Sequence, residues 1–212
     1  NKKNKVNLTN PRIIIYIDII NNFCIIGKNP KNFGKRSYKI RISNDTINAC
    51  LAYALLKLGK FTKNKLLLDP FCSDGTILIE AGLIGGRKLY GFGDDIKNAS
   101  INSKIAKVKV NLYKNDLTWL STLFKKNSLD LIISKSIYPS KTKKEEFVSN
   151  LIKELFRQAK YILKKNGLII LVGPKPYLLE KYAKLYNFKF KEELKVLTAN
   201  QEYKVLSFKK DI

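Results

Sequence analysis

Histidine and methionine are both missing from this 212-residue chain. Without histidine, a His-based catalytic triad is excluded and the usual imidazole ligand of zinc is gone. Cysteine is scarce. Cys24, Cys50 and Cys72 stand far apart and are odd in number, which suggests neither a disulfide framework nor a metal-ligand cluster. No metal is expected, and free thiols suit a reducing, cytoplasmic compartment. Acidic residues are few, 17 against 41 Lys and Arg, for a formal net charge of +24. Long apolar runs are missing as well. A stretch such as Gly167 to Gly173 is far too short to cross a bilayer, and the lysine-rich N-terminus lacks the apolar segment of a signal peptide. No membrane partner is expected.

What is present is a foldable, strongly basic chain. Apolar residues make up 45% of it, enough for a core rather than for disorder. The positive excess attracts polyanions, with RNA or DNA the natural partner. The abundance of Lys, Asn and Ile also fits the compositional bias of an AT-rich genome.

The pattern along the chain is alternating. The β-branched run at 12–20, the Asn21-Asn22 turn and Phe23 to Gly27 predict a hairpin. A basic linker follows from Lys28 to Arg41, containing Phe33, Gly34 and Tyr38. Asp45 is a plausible N-cap for a helix at 46–58, closed by Gly59. Strands are then predicted at 65–69, 88–91, 108–113, 129–134 and 168–172. Helices are predicted between them at 76–84, 97–106, 144–163 and 176–185. The chain ends in a hairpin over 188–197 and 203–209. Such alternation predicts an α/β fold with helices on both faces of a mostly parallel sheet, and the last hairpin gives it an antiparallel edge. The expected division is an N-terminal hairpin and basic linker over 1–43 and a main domain over 44–212. Trp119, the single tryptophan, is expected in the core.

The strongest motif is Leu66-Leu67-Leu68-Asp69-Pro70-Phe71-Cys72-Ser73-Asp74-Gly75-Thr76. A hydrophobic strand ends in a carboxylate and passes through a tight turn into a helix. Ligands of open α/β sheets bind at such strand ends. Gly75 allows close backbone approach, and Thr76 with the free amides of the helix start can receive a carboxylate. An ordinary βα turn with an aspartate cap would share the pattern.

The run Asp69 to Glu80 resembles the DPFCGSGTILIE motif of the THUMP-associated (UPF0020-like) RNA methyltransferases. These use S-adenosylmethionine to methylate the exocyclic N2 of guanine in tRNA or ribosomal RNA. The resemblance extends from about Asn10 to Lys209. It takes in Lys35-Arg36-Ser37-Tyr38, similar to a family Arg-Gly-Tyr-Arg segment, and the stretch Leu51 to Leu55. It implies a Rossmann-like class I methyltransferase with a seven-stranded sheet, preceded by a remnant of an upstream RNA-binding region. Asp69, Phe71, Cys72, Ser73, Gly75 and Thr76 then form the cofactor loop. Asp94 or Asp95 holds the ribose of the cofactor, and Asp116 receives its adenine amino group. Ser73 and Asp74 stand where the family has glycine and serine, and Ser73 would be strained if that position needs a positive φ.

The second departure lies after Leu129 to Ser134. In the family, an Asn/Asp-Pro-Pro-Tyr motif accepts hydrogen bonds from the target amine and stacks its aromatic ring on the base. Here the corresponding residues are Lys135, Ser136, Ile137 and Tyr138. Tyr138 keeps the stacking role, Ser136 is a weak acceptor, and a charged Lys135 has donors only. Lys141, Lys143 and Lys144, with Lys35, Arg36, Lys31 and Lys39, form a candidate phosphate-binding rim. Two functions follow: an RNA methyltransferase, acting on tRNA before other RNAs, or a catalytically inactive module of the same fold that binds RNA or a partner. A third reading, methylation of DNA adenine or protein glutamine, shares the related motif.

Overall fold

The computed structural model describes residues 6–30, 35–43, 45–114, 116–197 and 202–210. The sequence expectations for Lys31, Phe33 and Gly34 lie outside the described residues. The chain divides into two compact units, 1–36 and 37–212.

The first unit is an antiparallel hairpin of β1 (Ile13–Ile20) and β2 (Phe23–Pro30). Asn21 adopts φ 53° in the two-residue connection, the left-handed region that such turns require and asparagine tolerates.

The second unit runs α1 (Ala49–Leu58), β3 (Leu66–Asp69), α2 (Thr76–Leu83), β4 (Lys88–Phe92), α3 (Lys97–Ile105) and β5 (Asn111–Tyr113). A 3-10 turn (Leu117–Trp119) and α4 (Leu120–Leu123) lead to β6 (Leu129–Lys135) and α5 (Glu145–Ile162). Then come β7 (Leu163–Gly173), α6 (Tyr177–Leu185), β8 (Phe188–Leu197) and β9 (Glu202–Lys210). The sheet order is β5-β4-β3-β6-β7-β9-β8. β3 through β7 are parallel, and β9 pairs antiparallel with both β7 and β8. The Rossmann-like seven-stranded sheet with an antiparallel C-terminal hairpin is therefore present.

Strand periodicity builds the two cores. Side chains alternate across a sheet, and Leu68, Ile132, Ile169 and Leu171 pack against α5 and α6 on one face. Their neighbours Leu67, Leu131, Ile133, Ile170 and Val172 pack against α1 and α2 on the other. Because both faces are covered, these strands read as continuous apolar runs rather than alternating ones. Strand order reverses at β3, with β4 and β5 to one side and β6 and β7 to the other. The loops leaving β3 and β6 diverge there, and a crevice opens at the carboxyl ends.

Several local expectations need correction. The N-cap of α1 is Asn48, whose side chain accepts from the Cys50 and Leu51 amides; Asp45 lies three residues earlier and faces elsewhere. β5 begins at Asn111 rather than at Val108. Trp119 is 56% exposed, because in the short 3-10 turn Leu117 and the following Leu120 take the buried positions.

Candidate methyl-transfer cleft

A cleft of about 770 Å³ opens at the carboxyl ends of β3, β4, β5 and β6. The volume is within the range of small-molecule sites. Its floor is the loop after β3, with Phe71, Cys72 and Ser73 on the wall. Asp94 and Asp95 after β4, and Asp116 after β5, form an acidic end. Lys135, Ser136, Tyr138 and Lys143 after β6 form the other, together with Asp45.

The motif loop is built from the buried Asp69 outward. Asp69 ends β3 beneath the cleft, where its Oδ1 accepts the Ser134 hydroxyl at 2.5 Å and the Phe71 amide at 3.3 Å. Burial raises its carboxyl from 3.8 to about 7, partly opposed by the Ser134 and Phe71 hydrogen bonds and assisted by Asp74. Burial and the two carboxylates also push the Cys72 thiol up. Gly75 caps α2 at φ 78°, and a Cβ there would meet Ala99 at 3.1 Å. The positive φ favours glycine, and Ala99 leaves little room for a Cβ. Ser73 is not among the residues at positive φ, so serine at that position is unstrained.

The helix start differs from the expectation. Asp74 Oδ1 accepts both the Thr76 amide at 3.3 Å and the Thr76 hydroxyl at 2.8 Å. The chain's own carboxylate thus occupies the donors of Thr76 that were expected to receive a ligand, and Thr76 is buried. Asp74 also accepts the Thr46 hydroxyl and lies 3.6 Å from the Lys39 ammonium. Asp69, Gly75 and Thr76 support the cleft from below, whereas Phe71, Cys72 and Ser73 line it.

At the acidic end, Asp94 is exposed and has no side-chain partner among the described residues. Asp95 accepts the Lys97 amide at 3.0 Å, and Asp116 accepts the Thr118 amide at 3.0 Å. Each of the latter two is a turn cap that also faces the cleft. Between them the backbone comes close: a Cβ on Gly93 would lie 2.3 Å from the Cys72 carbonyl oxygen. Gly93 was missed in the sequence, where only an unexplained glycine after a strand could have signalled it.

At the basic end, Lys135 is half-buried. Its ammonium donates to the Thr46 carbonyl at 3.2 Å and sits 5.6 Å from the centre of the Tyr203 ring. Burial lowers its pKa, with Asp45 acting against that and Lys143 with it. Ser134 is consumed by Asp69, and the Ser136 hydroxyl donates to the Ile137 carbonyl at 2.9 Å. Lys143 is held by Asp45 at 2.9 Å. Lys141 and Lys144 are exposed just outside the cleft wall. Lys39 is turned inward, donating to the Ile47 carbonyl at 2.5 Å. Lys35 and Arg36 belong to the first unit.

The stretch Lys28 to Arg41 was read as a linker that touches phosphates, but its part in the second unit is anchored at Tyr38, Lys39 and Arg41. The Tyr38 hydroxyl donates to Glu80 at 2.7 Å. Asn102 on α3 donates to the Arg41 and Asp74 carbonyls, at 2.7 and 3.0 Å, and accepts the Arg41 amide at 3.0 Å. Among the described residues no group of three or more Cys, Asp or Glu is arranged to hold a metal ion, and no described helix is long and apolar enough to cross a membrane.

Known proteins share this architecture. Residues 36–97 match the family described as UPF0020, RMKL-like, methyltransferase domain. The chain is 25% identical to a tRNA (guanine(6)-N2)-methyltransferase of Methanocaldococcus jannaschii, over 91% of this chain and 62% of that protein. It is 30% identical to the tRNA (guanine(10)-N2)-dimethyltransferase of the same organism, over 83% of this chain and 53% of that protein. The chain therefore spans little more than half the length of these relatives. The crystal structure of TrmN from Thermus thermophilus superposes with a TM-score of 0.74 at 22% identity, covering 96% of this chain and 61% of that one. With the motif loop, the sheet order and these relationships together, the chain is a relative of the RMKL-like methyltransferase domains, built on the class I methyltransferase fold.

Proposed function

We propose that this chain is an S-adenosylmethionine-dependent RNA methyltransferase domain that methylates the exocyclic N2 of guanine, with tRNA as its substrate. The observation that carries the reading is the division of the cleft. Free carboxylate surface lies at the β4–β5 end, and an aromatic ring among lysines lies at the β6 end, with the motif loop between them.

The residues fit S-adenosylmethionine. Asp94 offers an unpartnered carboxylate that can accept two vicinal hydroxyls of a ribose. Asp116 has a further oxygen free to accept an adenine amino group. When bound, the cofactor supplies a methyl group on a sulfonium, an electrophile that needs no metal and little acid–base assistance. The protein's task is then to position an amine in line and exclude water. Tyr138 offers a face on which guanine can stack, a contact worth about 1–3 kcal/mol per base. Lys143 at the rim, with Lys141 and Lys144 beside it and Lys35 and Arg36 in the first unit, supplies phosphate contacts. The relatives named for tRNA guanine-N2 chemistry support this choice of substrate, as does the +24 charge. The cytoplasm, where free Cys24, Cys50 and Cys72 stay reduced, is the matching compartment.

The alternative of an inactive module drew on Ser73 and Lys135. Ser73 is unstrained, and Lys135 is engaged in holding the segment at Thr46.

Calorimetric titration of S-adenosylmethionine into the purified chain tests the reading, followed by transfer of labelled methyl groups to total tRNA. Asp94→Ala is the control, because Asp94 is exposed and its loss leaves no buried partner stranded. Saturable binding weakened in the control, with N2-methylguanosine in the product, is the expected outcome. A folded chain that binds no cofactor refutes it.

A further inference from the structure

The family's acceptor for the target amine is absent at its usual place, and the residues around that place offer no carboxylate or amide oxygen in its stead. Lys135 only donates, Ser134 is buried with its hydroxyl donating to Asp69, and Ser136, whose hydroxyl donates to the Ile137 carbonyl, keeps only the lone pairs of a neutral hydroxyl, a weak acceptor. Yet three of the departures from the family motifs share one destination. The Ser73 hydroxyl approaches the Asp45 carbonyl at 3.5 Å, Asp74 accepts the Thr46 hydroxyl, and Lys135 donates to the Thr46 carbonyl at 3.2 Å. Each of these three replacements contacts residue 45 or residue 46. Together with Tyr38–Glu80 and the Asn102 bonds to Arg41, they lash the segment before α1 against the cleft.

We propose that this lashing positions Asp45 as the hydrogen-bond acceptor for the target amine, in place of the side chain lost at Lys135. The inference rests on the methyltransferase reading above. The other carboxylates lining the cleft, Asp94, Asp95 and Asp116, follow β4 and β5, at the opposite end from Tyr138. Asp45 alone among the described lining carboxylates faces the β6 loop, where Lys143 binds its Oδ2 at 2.9 Å. Its Oδ1 accepts nothing among the described residues, and a carboxylate has lone pairs to serve both a lysine and an amine. In the transfer, the nitrogen lone pair forms the new N–CH3 bond as the C–S bond breaks. The electron pair of that bond stays on sulfur as a neutral thioether. The surplus proton on nitrogen passes to the Asp45 carboxylate and on to water at the open mouth.

The test compares the wild-type chain with Asp45→Ala and Asp45→Ser. Both delete the carboxylate, so failure of one to fold leaves the other. Three quantities are read: S-adenosylmethionine affinity, affinity for total tRNA, and the single-turnover rate of N2-methylguanosine formation. Both affinities are expected to stay within about twofold, while the rate falls on the order of 100-fold, as for loss of one preorganised polar group in other enzymes. Installing the family residue as Lys135→Asn in the Asp45→Ala background is expected to recover part of the rate. Variants that transfer methyl groups within about threefold of wild type overturn the inference while leaving the methyltransferase reading intact. So does a rate loss explained wholly by weaker cofactor binding. A wild-type chain that transfers no methyl group overturns both.

Discussion

Asp69 carries the most quantitative consequence of the fold. Its carboxyl ends β3 in a buried position, and burial raises it from 3.8 to about 7. A folded-state value above the unfolded one means that the folded chain holds the proton more tightly. The stability this contributes is fully present below about pH 4 and is lost progressively until pH passes about 7. At about 1.36 kcal/mol per pH unit, the span from 3.8 to about 7 corresponds to roughly 4 kcal/mol. Asp69→Asn removes the titration and keeps an oxygen where Oδ1 receives Ser134 and Phe71. The amide N–H groups it adds cost a constant amount at every pH, so the slope rather than the offset is diagnostic. Urea denaturation followed by circular dichroism at pH 4, 5, 6, 7 and 8 gives the stability difference between variant and wild type. That difference is expected to move by about 4 kcal/mol in favour of the variant between pH 4 and 7 and then level off. A difference that stays constant across the range would refute the claim that Asp69 is buried without a compensating cation.

Asn102→Ala strands the Arg41 amide and carbonyl, which are part-buried, and the buried Asp74 carbonyl; a loss of about 2 kcal/mol is expected in denaturant melts, with faster hydrogen exchange at the Arg41 amide. Gly93→Ala forces a Cβ to within 2.3 Å of the Cys72 carbonyl oxygen; thermal melts are expected to show a cost of about 1–3 kcal/mol, and titration a weaker cofactor complex. Thiol labelling of the native chain is expected to modify Cys24 and Cys50 quickly and Cys72 only on unfolding, since only Cys72 is buried. Peptide mass spectrometry of the labelled chain would show the opposite if the motif loop were open.

The architecture was legible because its determinants are local. Period-free apolar runs such as Leu66–Leu68 and Leu131–Ile133 announce strands covered on both faces, and the amphipathic stretch that became α5 announces a helix. Boundaries decided by capping were less legible. Asp45 and Asn48 are both good N-cap residues, and the packing of Ala52, Leu55 and Leu56 into the core with the sheet residues goes with a start at Asn48. Trp119 was misplaced for a related reason: a 3-10 turn has no long periodicity from which its buried side can be read.

For the site, the chain itself determined which candidate residues stand at the cleft. The motif from Asp69 to Thr76, the carboxylates at 94, 95 and 116, and Tyr138 are fixed by their places at strand ends. What it could not determine is which of their polar atoms remain available. Asp74 lies next to Thr76 in sequence, yet its carboxylate also reaches Thr46, 28 residues away, and Lys135 reaches the same residue across 89. Such pairings depend on strand order and loop path, which are global properties, whereas residue type and helical or strand period are local ones. The sequence therefore specified the sheet, the motif loop and the charge of the cleft. Only the tertiary structure decided that the helix start is filled from within and that the segment around Asp45 is bound to the cleft by the residues that depart from the family.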